Sequence, residues 1–178
     1  MQIDYDKWHD GIGYDIDIIR NANAAERAAI EDLLVRRGPK DWRDVEALAA
    51  LGATAQLRKA LASSDFTVAL AVLEHAPNIA SESDAVALLE RALRDAEIGA
   101  GFAEALRIVQ RFHPPAVIDA MLRAIVARRN PTLIVAMLLY VKGHAKEAFD
   151  YDLMPYFGHF CEQERSVAVR ELRERIGV

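Results

Sequence analysis

The stretches ATAQLRKALASS (53–64), SESDAVALLERALRDAE (81–97) and AVIDAMLRAIVARR (116–129) decide the fold. Set one under another at a spacing of 32 residues, they agree column by column. Leu57, Leu89 and Met121 share one column, Ala60, Ala92 and Ala124 the next, and Leu61, Leu93 and Ile125 a third. A fourth column, Lys59, Arg91 and Arg123, is basic. Within each stretch the apolar positions recur at the helical period, so these are three copies of one helix. A small residue held at one column lets a neighbouring helix approach closely.

The helices between them repeat less strictly. Phe66, Ala69, Leu70, Val72 and Leu73 match Phe102, Ala105, Leu106, Ile108 and Val109, 36 residues on. Those match Leu133, Ala136, Met137, Leu139 and Tyr140, a further 31 on. A two-helix unit this short cannot bury its apolar face alone, whereas three or more stacked copies can. Elsewhere the same period and the same breaks continue. NAAERAAIEDLLVRRG (23–38) opens on a cap residue and stops at Gly38-Pro39, DWRDVEALAAL (41–51) runs to Gly52, and DFTVALAVLEHAP (65–77) stops at Pro77. FAEALRIVQRFHPP (102–115) ends on a double proline. Short connections make consecutive helices antiparallel neighbours.

Composition agrees. The 178 residues are 52% hydrophobic and 28% charged, enough for one domain with a sizeable core. Alanine is abundant, which favours helix over strand because it loses no side-chain entropy there. We expect one repeat domain over 1–178: an N-terminal cap and first helices (1–38), the helical repeats (39–143), and an aromatic segment with a capping helix (144–178). The longest apolar run, LIVAMLLYV (133–141), is too short to cross a bilayer and reads as a helix buried on all sides. The acidic start MQIDYDKWHD lacks the apolar core of a secretory leader, and the lone Cys161 allows no internal disulfide. Both suit a cytoplasmic protein without membrane attachment. A net charge of −5 disfavours nucleic acid and anionic lipid as partners.

The segments WHDGIGYDI (8–16), DWRDVEALAALG (41–52), RFHPP (111–115), FDYDLMPYFGHF (149–160) and the closing ERIGV resemble those of small bacterial HEAT-repeat-like proteins, α-helical domains generally without an assigned activity. The resemblance covers nearly the whole chain. It implies an all-α fold, a HEAT-like right-handed α-solenoid of antiparallel helix pairs, with a concave face suited to binding. It implies no reaction and no catalytic residue.

Each chemistry-bearing pattern also has a plainer reading. DKWHDGIGYDID (6–17) places Asp6, Asp10, Gly11 and Asp17 at positions one, five, six and twelve of a calcium loop. Trp8 occupies a ligand position and no helix can precede Asp6, so the stretch reads as a cap, with Trp8 and Tyr14 covering the first helices and Gly11 and Gly13 turning the chain. His144/Glu147 and His159/Glu162 share the spacing of one helix face, but di-iron bundles use the reverse order, Glu-x-x-His, with further glutamates on facing helices, so both pairs read as solvated polar positions near a turn. His159 and Cys161 are two apart and face different sides, which separates base from nucleophile. His75 and His113 precede proline breaks and read as turn caps. No metal, cofactor or catalytic set is expected.

Two features point to binding. Lys59, Arg91 and Arg123, with Arg58, Arg94, Arg128 and Arg129 nearby in sequence, could form a basic strip; alternatively they are solvated heads, or partners of Glu90 and Asp119. Phe149, Tyr151, Tyr156, Phe157 and Phe160 crowd a short segment and read either as core under the last helix or as a partner or self-association surface. The candidate partner-binding residues are therefore Lys59, Arg91, Arg123, Tyr151, Tyr156 and Phe157. We expect a non-catalytic protein-binding module. The alternatives are an immunity- or antitoxin-type protein neutralising a basic toxin, and a HEAT-like nucleic-acid binder or DNA glycosylase.

Overall fold

A computed structural model of the chain describes residues 13–148 and 162–178. Among these residues all regular structure is helical. None of the helices is long and apolar enough to cross a membrane. The chain divides into two compact units, residues 1–81 and 82–178.

The first unit contains α1 (Ile16–Asn21), α2 (Ala24–Arg37), α3 (Trp42–Leu51), α4 (Thr54–Leu61) and α5 (Phe66–His75), followed by one 3₁₀ turn, Pro77–Ile79. Local chemistry starts and stops these helices. Asn23 and Glu26 form a reciprocal capping box on α2, Asp41 accepts from Arg43 and Asp44 N–H groups to open α3, and Asp65 accepts from Thr67 to open α5. Gly52 ends α3 in the left-handed region, φ 73°, which a side chain would strain, and its own N–H bonds back to the α3 carbonyls. α3 packs against α1, α2, α4 and α5. Ile19, Val45, Leu48, Leu57, Val68 and Val72 are buried in the resulting core. Each such side chain contributes roughly 1.5–3 kcal/mol of burial free energy.

Tyr14 is fastened to this core by a polar knot. Its hydroxyl donates to Asp44 Oδ1 at 2.8 Å and accepts from Arg37 at 2.8 Å, while Arg37 also pairs with Asp44. The Lys40 N–H supplies Asp44 Oδ2 at 2.9 Å. Asp44 is 2% exposed, the one buried charged residue among the described residues. A buried carboxylate is tolerated only with such partners. Gly13 lets the chain pass close to α3: a methyl group there would meet the Trp42 ring at 3.2 Å. The lid reading of Tyr14 thus has its geometry, whereas Trp8 and Gly11 lie outside the described residues.

Burial raises the Tyr14 hydroxyl above its ordinary value, with Asp44 adding to the rise and the Arg37 bond opposing it. A raised folded-state value means the folded protein holds a proton that the unfolded chain releases above about pH 10. The stability tied to this proton is therefore complete below about pH 10 and is lost as pH rises further. Denaturant midpoints between neutral and alkaline pH should show Tyr14→Phe less stable by about 1 kcal/mol near neutrality, with a shallower alkaline loss than the parent. Equal alkaline slopes would refute the assignment.

The second unit contains α6 (Glu82–Asp95), α7 (Ala103–Arg111), α8 (Pro115–Ala127), α9 (Thr132–Val141), α10 (Ala145–Ala148) and α11 (Glu162–Ile176). α6 packs on α8 and α7 on α9, while α6 also touches α7, α8 touches α9 and α9 touches α10. Helices one spacing apart are therefore neighbours in this unit. Leu89, Ala92, Leu93, Met121, Ala124 and Ile125 are all buried, as are Leu57 and Ala60 in the first unit. α11 lies antiparallel to α8: Arg165 near its start bonds carbonyls at the end of α8, and Arg173 near its end reaches Asp119 near the start of α8, at 3.0 Å.

α9 departs from expectation. It is not buried on all sides: Leu133 is 48% and Tyr140 41% exposed. The buried residues are Ile134, Val135, Leu138 and Leu139, a single stripe at helical spacing, and Leu133 and Tyr140 lie opposite it. The match of Leu133 and Tyr140 to buried Phe102 and Val109 is out of register. An almost wholly apolar helix carries little pattern from which its buried face can be read.

Candidate functional site

Lys59, on α4 in the first unit, is exposed. Arg91 and Arg123, on the packed helices α6 and α8, are exposed in the second. Arg123 donates from Nε to Glu90 Oε1 at 2.8 Å, and this bond holds the Glu90 carboxyl below its usual range against the effect of burial. Asp119, the other counter-charge considered, pairs with Arg173 instead. Tyr151, Tyr156 and Phe157 lie outside the described residues, as do Cys161 and His159.

A cleft of about 780 Å³ opens where α6 and α8 end and α9 begins; Arg91 and Arg123 are not in its lining. Arg128 builds it. Immediately after α8, its guanidinium donates to the carbonyls of Leu93 at 3.0 Å, Arg94 at 3.3 Å and Ala96 at 2.8 Å, capping the end of α6. Helix ends carry unsatisfied carbonyls and partial negative charge, which a planar five-donor cation can satisfy together. The same group lies 4.0 Å over the Phe102 ring, and burial draws it below its ordinary pKa. Arg165 repeats the device on the end of α8, donating to Arg129 O at 3.0 Å, and Arg27 does so in the first unit, reaching Leu51 O at 2.9 Å. Arg128 therefore does not belong to a solvent-facing basic strip. It is occupied in holding helix ends.

Phe102 floors the cleft, and Ile98 and Leu133, 67% and 48% exposed, stand at its walls. Arg94 and Asp95 pair in two bonds, 2.8 and 2.7 Å, leaving the rim close to neutral. Among the described residues neither histidine nor cysteine lines it. Such a surface can desolvate an apolar side chain and offer polar groups around it, as binding sites do.

The histidines sort differently from one another. His113 Nδ1 meets Val109 O at 2.9 Å and caps the end of α7, as its place before Pro114 suggests. His75 is no turn cap: it stacks on Trp42 with centroids 6.0 Å apart and sits 3.9 Å from Glu46. His144 and Glu147 do share a face, at 3.5 Å, but Glu147 also binds Arg175, which more than His144 holds it below the usual carboxylate range. Among the described residues no group of histidine, cysteine and carboxylates could hold a metal ion. Sequence reasoning missed Arg128 and Phe102 as a pair; the available signal was Arg128-Arg129 just beyond an apolar helix, where cations complement the dipole.

No family model, no curated protein and no solved structure matches this chain.

Proposed function

We propose that the chain is a non-catalytic protein-binding module, a HEAT-like right-handed solenoid of antiparallel helix pairs acting in the cytoplasm. The solenoid reading is supported by the buried columns at 32-residue spacing and by the packing of α6 on α8 and α7 on α9. The observation that carries the binding reading is the cleft with Ile98 and Leu133 exposed around a Phe102 floor. Isolated exposed apolar residues are ordinary, but apolar residues gathered around a concave site mark interfaces. Arg91 and Arg123 on the adjacent helices would contribute at its edge.

Affinity capture from the native cell tests this, using the parent and Ile98→Ser/Leu133→Ser. The parent should retain a defined protein that the double variant loses, with both proteins equally stable to within about 0.5 kcal/mol. Identical recovery by both would remove the cleft from the interface. The nucleic-acid reading has weaker support, because Arg123 is engaged by Glu90. Salt-dependent binding to duplex DNA that Arg91→Glu/Arg123→Glu abolishes would restore it.

A further inference from the structure

The acidity of the chain is not spread along it. Over residues 1–32 eight Asp and Glu face three Lys and Arg, whereas over residues 33–178 the two are equal at 19 each. The whole net charge of −5 therefore belongs to the segment that ends within α2.

That helix is also the least buried of the first unit. Of its 14 residues only Leu34 is buried. Glu26, Ala29, Ile30 and Leu33 fall at i, i+3, i+4 and i+7 and share one face, and Leu33 is 48% exposed. Beside it Ile18 of α1 is 63% exposed. The two helices border a groove of about 880 Å³ whose walls include Ile18, Ala22, Ala29 and Ile30 and whose rim carries Asp15, Asp17 and Glu26; among the described residues no Lys or Arg lines it. Among the described residues the nearby cations are engaged: Arg20 with the rim's own Asp17 at 3.5 Å in a solvent-exposed pair, and, away from the rim, Arg36 with Asp32, Arg37 with Asp44, and Arg27 on backbone carbonyls.

We propose that the α1–α2 groove docks a cationic, amphipathic segment of a partner protein, its apolar side chains against Ile18 and Ile30 in the groove and Leu33 beside it on the same face of α2, and its Lys or Arg side chains against the carboxylate rim. An apolar groove with acidic edges is complementary to a basic amphipathic helix. The same charge repels nucleic acid, anionic lipid and a second copy of this face. The inference rests on reading the chain as a binding module but uses a surface separate from the Ile98–Leu133 cleft, so either can fail alone.

The test is calorimetric titration of the full chain with a synthetic Leu/Lys amphipathic peptide of about 18 residues, long enough to form helix on a surface. Saturable binding to a single site is expected. Ile18→Ser/Leu33→Ser should weaken it by about tenfold or more, and Asp17→Lys by a similar factor. An ionic strength of about 1 M should weaken it as well, since screening then acts within about 3 Å. A peptide with Glu in place of Lys should not bind, and Ile98→Ser/Leu133→Ser should bind as the parent does. Affinity unchanged by Ile18→Ser/Leu33→Ser would reduce the interaction to diffuse charge attraction and overturn the proposal. So would a parental dimer, seen by light scattering, that the same variant dissociates, because a second copy would then be the occupant. A large fall in melting temperature for that variant would show the face covered within the chain and would overturn the proposal too.

Discussion

Arg37→Ala is expected to destabilise the protein by roughly 3–5 kcal/mol, towards the lower figure because Asp44 keeps two other partners. The substitution leaves the Asp44 carboxylate, 2% exposed, without its cation. The Tyr14 hydroxyl and the Lys40 N–H still reach it, but neither carries charge. Arg37 itself is 40% exposed, so little of the effect comes from packing lost by its own stem. Urea unfolding should show a lower midpoint at an unchanged slope. Asp44→Asn removes the charge that Arg37 compensates, so Arg37→Ala should cost less in that background, by about 0.5–3 kcal/mol. A cost below about 1 kcal/mol for Arg37→Ala alone would mean that Asp44 is hydrated rather than buried, placing it with exposed pairs.

Phe102→Ala should cost about 3–5 kcal/mol. Phe102 is among the largest fully buried side chains described and is 2% exposed. It also faces the Arg128 guanidinium across 4.0 Å. Its removal therefore opens a cavity beneath the cleft and withdraws the ring from a cation that caps α6. A double-mutant cycle with Arg128→Met separates these effects, and the coupling should lie between about 0.5 and 2 kcal/mol. Arg128→Lys should not restore the parental value, because one ammonium cannot span the carbonyls of Leu93, Arg94 and Ala96 while lying flat on the ring. Full retention of stability by that lysine variant would refute the capping role.

Much of the architecture was legible because its causes are local. The cap at Asn23, the stop at Gly52 and the buried columns through Leu57, Leu89 and Met121 each follow from a few adjacent residues and the helical period. The pairing of Arg123 with Glu90 could be posed as one option among several, but not chosen, since lysine and arginine heads find solvent or a partner with similar ease. α9 misled where pattern was absent: a helix apolar almost throughout does not announce which side is exposed.

What the sequence determined by itself is where helices begin and end and which of their positions are apolar, because period, capping and breaking act within a few residues. The tertiary structure alone decided where the long cations go. Arg128 reaches carbonyls more than 30 residues away, Arg37 and Tyr14 meet on a buried carboxylate, and Trp42 stacks on His75. These partners are joined by packing rather than by spacing. A guanidinium on a flexible stem can serve a helix end, a carboxylate or solvent, and only the arrangement of helices around it selects among them.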